Sequence, residues 1–254
     1  MALKERYPEI DALTALLARK IRRLRAAESA AIRVVMDRVW IHHDCAIDGL
    51  VVPLEEIRAA LAGQPPADSS LAPVHREVTA HREAVRKTRE EAARAKPPLR
   101  MPFVLDLYGT FAGERYDPHK SCYRRDVPVH RLYYHDIAAP DRIAYRMKRL
   151  IDWAGQPDFR KRHPIAAATL LHHTFMEVFP FPTHSGKIGR LLMNLALMRA
   201  GYQPVVLHSA DRHRYYESLR GDAEDLAFLV EESMENSLRS SIKLTEQRRM
   251  LAML

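Results

Sequence analysis

The chain has 254 residues, 47% of them hydrophobic, and a formal net charge of +8 at pH 7. This size and composition indicate a globular protein with one large domain, or a core domain with an appendage, and not a disordered chain. Segments rich in alanine, leucine and arginine, with few β-branched runs, predict a mainly helical fold.

The cysteines and the N-terminus narrow the class of protein. Cys45 and Cys122 form no Cys-x-x-Cys pair and the thirteen histidines are scattered, so we expect neither a disulfide framework nor a metal site. Charges at residues 4–6 interrupt any apolar run at the N-terminus, which predicts no signal peptide and no membrane span. The expected location is the cytoplasm.

The excess of positive charge bears on nucleic-acid binding. Much of it lies in residues 19–25 and 82–100, in helical patterns that are simpler to interpret as solvated helix faces. Because no zinc finger, helix-turn-helix or aromatic RNA-binding motif accompanies them, we do not expect nucleic acid as a partner. A nucleotide or an acidic protein suits the charge equally well.

Helical periodicity dominates the N-terminal part. Residues 10–43 repeat apolar side chains at helical spacing, which predicts one long or broken amphipathic helix that ends near Gly49. A second helix should start at Pro53, since a proline and acidic residues suit a first turn. Residues 63–73 predict a flexible loop, and residues 74–96 predict a charged helix whose sparse apolar residues suggest a peripheral position.

Further along the chain, one segment has the pattern of a strand. Residues 121–130 contain alternating valines and give the strongest strand signal, with residues 131–136 as a second arm. The remaining predicted helices cover residues 140–153, 164–177, 186–200 and 226–244.

The loop between two of these helices carries the residues of chemical interest. Residues 183–190 combine two glycines, hydroxyl side chains and two cations at a helix N-terminus, where backbone N–H groups are unpaired. Such a combination can bind phosphate. Gly186 lets the backbone approach an anion, Lys187 supplies a point charge, and Arg190 supplies a planar fork one turn later. The same residues also suit a helix cap with two solvated cations.

This stretch resembles the core of Fic-domain proteins, most of which transfer AMP from ATP to a protein hydroxyl. The family pattern is His-Pro-Phe-x-Asp-Gly-Asn-Gly-Arg-x-x-Arg, and residues 179–190 read Phe-Pro-Phe-Pro-Thr-His-Ser-Gly-Lys-Ile-Gly-Arg. The resemblance covers residues from about 30 to 245. It implies an all-α fold, a Fic-type helical domain with a small β-hairpin flap and an N-terminal helical extension. Residues 99–110 resemble the helix that precedes the family's flap, and residues 211–219 resemble the family's Arg-x-x-Tyr-Tyr helix.

The resemblance also divides the chain. It implies an N-terminal helical segment with an inhibitory-like motif at residues 1–98, a Fic-like core at residues 99–245 and a tail at residues 246–254. Tyr215 and Tyr216 lie in a segment that resembles the family's helix near the adenine. One of the two is expected to bind the nucleotide and the other to lie in the core, and Tyr216 is included among the implied phosphate- or nucleotide-binding positions. These positions are Ser185, Gly186, Lys187, Gly189, Arg190 and Tyr216.

Two departures from the family pattern affect catalysis. The family's base, a loop histidine, is replaced by Phe179, which cannot accept a proton. The acid that holds magnesium is replaced by Thr183, a neutral hydroxyl where the hard cation prefers a carboxylate. His184, where the family has glycine, is the one nearby candidate for a relocated base, and it could equally be a surface or anion-contacting histidine.

A segment upstream resembles the family's inhibitory motif, Ser/Thr-x-x-x-Glu-Gly. Here Asp44 replaces the hydroxyl residue and Asp48 replaces the glutamate before Gly49. The resemblance implies that Asp48 pairs with Arg190, and because aspartate is one methylene shorter we expect a water-bridged contact. The alternative is an acidic helix end before a glycine stop.

The strand-like segment resembles the family's flap, which holds a target protein by strand addition. Val127, Val129 and His130 are the implied contact residues, and a merely structural hairpin is the alternative. The other partners that the resemblance suggests are a nucleotide or phosphorylated small molecule and a second copy of the chain.

Two functional classes follow. The preferred one is a nucleotide- or phosphate-binding pseudoenzyme that acts through protein contacts, because both the base and the metal ligand are replaced. The other is a transferase with altered chemistry that moves a nucleotidyl, phosphoryl or glycosyl group with another base such as His184. In either class, the implied ligand is ATP or another nucleotide, without a well-held magnesium ion.

Overall fold

The computed structural model of the chain describes residues 6–94, 98–128 and 137–247. Within these ranges the regular structure is helical and contains no strand, so the predicted all-α class is confirmed. The α-helices are α1 (Tyr7–Arg22), α2 (Ala26–Ile47), α3 (Leu54–Leu61), α4 (Ala72–Ala93), α5 (Met101–Ala112), α6 (Ile143–Ala154), α7 (Pro157–Arg160), α8 (Pro164–Val178), α9 (Ser185–Arg199), α10 (Arg212–Ser218) and α11 (Ala223–Glu246).

The predicted flap is not visible in the described part of the chain. Residues 121–128 form bends and irregular backbone and no strand. Val129, His130 and the second arm at residues 131–136 lie outside the described residues. The β-hairpin therefore stays a prediction.

Helices α8 and α9 form the centre of the molecule. They pack against each other, with α4 and α5 against α9 and with α6 and α11 against α8. Gly189 permits their close approach, because a Cβ there would lie 2.9 Å from Nδ1 of His172 and 3.0 Å from the Phe175 ring. The loop that joins α8 to α9 is thus held between two buried helices.

The N-terminal helices pack onto this centre. The predicted long helix is broken at residues 23–25, where the Arg25 N–H donates to the Glu28 carboxylate and starts α2. Helix α1 packs on α11, and α2 contacts α3, α4 and α11. The N-terminal segment is therefore part of the same core.

The C-terminal end of α2 is fixed by a Schellman motif. The Gly49 N–H donates to Ala46 O and the Leu50 N–H to Cys45 O, both at 3.0 Å, and Gly49 has φ of 91°. Only glycine adopts this left-handed conformation at little cost. The motif places Asp48 at the C-cap, directly after the last residue of the helix.

The predicted peripheral position of the charged helix is wrong. Helix α4 packs on α9, and it buries both apolar and polar side chains. Its few apolar residues misled the prediction, because the buried face is completed by polar groups that have partners on other helices. These buried polar residues are His75, His81, Thr88 and Glu91.

No helix in the described ranges has both the length and the apolar character needed to cross a membrane. The long helices α2, α4 and α11 all carry charged residues along their length.

Candidate functional site

The loop from Phe179 to His184 begins and ends in the left-handed region. Phe179 has φ of 45° and His184 has φ of 64°. Between them, Ser185 closes the loop on itself: its hydroxyl accepts from the Phe181 N–H at 2.9 Å and donates to Phe181 O at 3.1 Å. Phe181 is buried and stacks on Tyr108 with ring centroids 4.3 Å apart.

Arg124 anchors the start of this loop. It is buried, and its Nε donates to Phe179 O at 2.7 Å and its Nη2 to Val178 O at 3.3 Å. The same guanidinium reaches Ala138 O and Asp126 O, and the Arg124 N–H donates to Pro180 O at 2.9 Å. One side chain therefore satisfies carbonyl groups that the end of α8 leaves without intrahelical partners.

Phe179 occupies the position that the family pattern gives to its catalytic base. Its side chain is packed in the hydrophobic core and the residue is only 4% exposed. Phenylalanine has no group that can accept a proton, and its burial favours a packing role.

The two cations at the start of α9 meet an acid from α2. Asp48 Oδ2 accepts from Lys187 Nζ and Asp48 Oδ1 from Arg190 Nη2, each at 2.9 Å. The predicted proximity of Asp48 to Arg190 is confirmed, but the contact is direct, so the expected bridging water is wrong. The end of α2 comes close enough for the shorter acid to reach.

Arg190 is held by a second acid and a tyrosine. Its Nε is ion-paired with Asp44 Oδ1, and its Nη1 donates to the Tyr215 hydroxyl at 3.3 Å. The other carboxylate oxygen of Asp44 lies 2.9 Å from His81 Nε2, a residue of α4. Asp44 and Arg190 are 3% and 2% exposed, so this pair lies in the interior.

Helix α4 supplies a third acid. Glu77 Oε1 lies 3.3 Å from Lys187 Nζ, and Glu77 Oε2 lies 3.1 Å from His184 Nε2. The His184 ring stacks on Phe111 with centroids 4.9 Å apart, and its Nδ1 lies 2.9 Å from the Thr183 hydroxyl oxygen. Both ring nitrogens of His184 are therefore engaged.

The carboxylates stay ionised because the cations outweigh the effect of burial. Burial raises the pKa of Asp48, but the charges of Arg190 and Lys187 hold it well below its ordinary value. Burial likewise raises the pKa of Glu77, but the hydrogen bond with His184 and the charge of Lys187 lower it to about 2. The pKa of Lys187 is raised, since Asp48 and the other acids overcome the cost of burial.

The other predicted site residues are placed differently. Gly186 lies against the ion pairs, because a Cβ there would be 3.0 Å from Arg190 Nη1 and 3.2 Å from Asp48 Oδ1. Gly189 faces α8, and the Ser185 hydroxyl is used within the loop. The Tyr216 hydroxyl donates to Ile47 O at 3.2 Å and so ties α10 to the end of α2.

The surroundings of α9 do not fit a magnesium-bound triphosphate as they stand. Three carboxylates (Asp44, Asp48 and Glu77) surround two cations, and Arg190 and Lys187 are each paired with two of them. Thr183 offers a neutral hydroxyl at the metal position. A terminal phosphate could reach the cations only if Asp48 moved away.

Glu77 and His81 were not predicted as members of this site. Their spacing of four residues puts them on one face of α4, and neither belongs to a motif. The pairing of Asp44 with Arg190 was also missed, although Asp44 and Asp48 have the same one-face spacing.

Comparisons with known proteins relate the chain to one family. Residues 98–197 match the model of the Fic/DOC family. The protein adenylyltransferase Fic of Nematostella vectensis is 28% identical over 179 residues, which cover 70% of this chain and 42% of that protein. This chain spans 40% to 43% of the length of the curated relatives it matches.

Solved structures share the fold over almost the whole chain. Fic-1 from C. elegans superposes with a TM-score of 0.79 at 23% identity, over 96% of this chain and 73% of that one. A variant of IbpAFic2 in complex with adenylylated Cdc42 has a TM-score of 0.51 at 13% identity, over 92% of this chain and 77% of that one. The chain therefore contains a Fic/DOC-type domain at residues 98–197 and has the fold of these Fic structures.

Proposed function

We propose that this Fic-domain protein is a pseudoenzyme: it does not transfer AMP by the family's route, and it binds a nucleotide or another phosphorylated ligand at the start of α9 and acts through protein contacts. Its own acids occupy the binding position in the conformation described above. A cytoplasmic location suits its two free cysteines, Cys45 and Cys122.

One observation carries this proposal. Lys187 and Arg190 already hold an oxyanion, the carboxylate of Asp48, with contacts of 2.9 Å to each cation. A phosphate oxygen presents the same charge-assisted acceptor to the same two donors. The two cations are thus prearranged for an anion, and Asp48 is the internal group that a ligand would replace.

The loss of family chemistry rests on two positions. Phe179 supplies no base, and Thr183 supplies no carboxylate for a metal ion. Because proton removal and charge neutralisation both lack their usual groups, binding without transfer is the expected behaviour.

Protein contacts are proposed for the segment that follows Arg124. Val127 is 53% exposed on a backbone that Arg124 anchors to the loop. An exposed valine on irregular backbone suits main-chain pairing with a partner segment. Cdc42 is bound by the relative IbpAFic2, which supports a protein as the partner class here.

Calorimetry tests the binding half of the proposal. The full chain is titrated with ATP, ADP, other nucleotide-linked donors and inorganic phosphate, and mass spectrometry then examines the protein and added substrates for a transferred group. We expect binding of at least one ligand and no mass shift.

Two variants locate the site. Lys187→Ala with Arg190→Ala should abolish binding, while Lys148→Ala with Arg149→Ala on the exposed face of α6 should leave it unchanged. Because the first variant leaves buried acids unpaired, Lys187→Gln serves as a milder version, and circular dichroism checks that each variant folds. Unchanged affinity in folded Lys187→Gln and in the double variant would refute the site.

A second candidate is a transferase with altered chemistry. The observation that favours it is the contact between His184 and Glu77, because a carboxylate on one ring nitrogen orients a histidine as a base. A transferred group found by mass spectrometry would select this candidate over the pseudoenzyme.

A further inference from the structure

Three side chains outside the family pattern form a chain of hydrogen-bonding groups. The Thr183 hydroxyl oxygen lies 2.9 Å from His184 Nδ1, and His184 Nε2 lies 3.1 Å from Glu77 Oε2. An ionised Glu77 carboxylate can only accept, so the imidazole donates its Nε2–H to it, and in the neutral imidazole Nδ1 is then the acceptor of the Thr183 proton. Hydroxyl, imidazole and carboxylate are thus in the order that activates a nucleophile.

The arrangement is held in place and remains accessible. His184 is fixed by its stacking on Phe111 and by Glu77, which also contacts Lys187. Thr183 is exposed, so a molecule from solution can reach its hydroxyl. The first N–H groups of α9 follow immediately in the chain and can donate to a developing oxyanion.

The charges around the three side chains favour a neutral substrate. Lys187 and Arg190 are both paired with acids, and Glu77, which contacts His184 next to Thr183, adds negative charge there. A polyphosphate would be repelled while these acids stay in place, whereas a carboxylic ester carries no charge at its carbonyl. Acyl chemistry therefore needs no rearrangement of the ion pairs.

We propose that Thr183, His184 and Glu77 form an acyl-transfer site for small carboxylic esters. The Thr183 oxygen attacks the carbonyl carbon while its proton moves to His184 Nδ1. The C–O bond to the leaving alcohol breaks, and the alcohol takes the proton from His184, which leaves an O-acyl ester on Thr183. Water attacks this ester in the same manner and releases the carboxylic acid. Glu77 is a positioning residue, because it touches His184 and not the substrate.

The test uses p-nitrophenyl acetate and the full chain. We expect a burst of p-nitrophenol and an acetyl group on Thr183, found by peptide mapping after acid quenching. Thr183→Val should lose the burst and the acetyl group, and His184→Asn should slow acylation by about 100-fold, the usual contribution of a general base. Glu77→Gln should lower kcat and leave KM unchanged, since it alters orientation only.

Matched controls separate this site from ordinary surface reactivity. Thr79→Val and His213→Asn change an exposed threonine and an exposed histidine elsewhere and should leave the burst intact. An acetyl group found only on lysines, or a burst that persists in Thr183→Val, would overturn the proposal. It is independent of the proposed phosphate site, because neither outcome depends on whether calorimetry detects anion binding.

Discussion

The Asp48 carboxylate lies 2.9 Å from the Arg190 guanidinium, and it reaches that position because α2 ends in a glycine-dependent turn directly after Asp48. An acid from the N-terminal segment thus neutralises the charge of an arginine of α9. Asp44 contacts the same guanidinium and Glu77 contacts Lys187. Three acids together therefore block the two cations proposed to bind an anion.

This sharing predicts that removal of one acid has a limited effect. Asp48→Ala should strengthen phosphate or ATP binding by about 1 kcal/mol, the low end of usual site-to-site coupling, because Asp44 still holds Arg190 and Glu77 still holds Lys187. Asp48→Ala with Glu77→Gln should gain about 3 kcal/mol. Calorimetry measures both.

The matched control keeps Glu77 and replaces an exposed glutamate of the same helix instead. Asp48→Ala with Glu83→Gln changes an outer residue of α4 that pairs with Arg86, and it should behave as Asp48→Ala alone. If Asp48→Ala alone gives the whole increase in affinity predicted for the double variant, and Glu77→Gln adds nothing, Glu77 does not help to block the two cations.

Repair of the family motif should require two changes. Phe179→His restores a base, but Thr183 still leaves the metal ion without its carboxylate, so the single variant should transfer no AMP. Phe179→His with Thr183→Asp is the minimum for which we expect activity. Mass spectrometry for an added AMP group is the readout. Each variant is also made with Asp48→Ala, so that the pairing of Asp48 with Lys187 and Arg190 does not mask activity.

Phe179→Tyr is the control for the change in packing at this buried position, since it adds a hydroxyl and no base at neutral pH. Strong AMP transfer by Phe179→His alone would contradict the requirement for the metal carboxylate.

Arg124 should contribute strongly to stability. Arg124→Ala removes a buried side chain that donates to the Phe179, Val178 and Ala138 carbonyls and should lower the free energy of unfolding by about 3 kcal/mol. Urea denaturation measures the loss. The neighbouring Arg125 is exposed, so Arg125→Ala should change stability by less than about 0.5 kcal/mol. Equal effects of the two changes would refute the anchoring role.

Glu231 predicts a loss of stability as the pH rises. Burial raises its pKa from 4.5 to about 7, with the charge of Arg6 acting in the opposite direction. Between pH 4.5 and 7 the folded protein therefore binds more protons at this site than the unfolded chain, so the free energy of unfolding falls as pH rises through this window.

The measurement is thermal unfolding at pH 4.5 and pH 8. Glu231→Gln should raise the Tm relative to the parent at pH 8 and match the parent at pH 4.5. Glu232 is the next residue of the same helix and is paired with Arg214 at the surface. Glu232→Gln should therefore keep the pH dependence of Tm that the parent shows. A parental pH dependence in Glu231→Gln would exclude this group as its source.

The helices and the loop were predictable because their signals are local. Apolar periodicity, prolines at helix starts and Gly49 and Gly201 at helix ends depend on a few neighbouring residues. The Asp48–Arg190 contact came from the resemblance, which ties two distant segments together. Its direct geometry depends on how closely α2 packs, and the sequence does not encode that distance locally.

Helix α4 shows where such reasoning fails. A low density of apolar residues usually marks a solvated helix, yet His81 and Glu77 face the interior because Asp44, Lys187 and His184 offer them partners. Whether a polar side chain is satisfied inside the protein depends on distant residues: the partner of His81 belongs to α2, and the partners of Glu77 lie at the start of α9. No window along the chain contains that information.

The buried pair of Asp44 and Arg190 has a consequence for any attempt to transplant the core. Asp44 lies before residue 98 and Arg190 after it, although residue 98 is where the Fic/DOC match begins. A fragment cut there would lose α2 and α4, and with them both acids that pair with Arg190 and the helix surface that covers α9. Modular exchange of the loop and α9 therefore has to include α2 and α4, so the unit that folds cooperatively is larger than the unit that sequence similarity outlines.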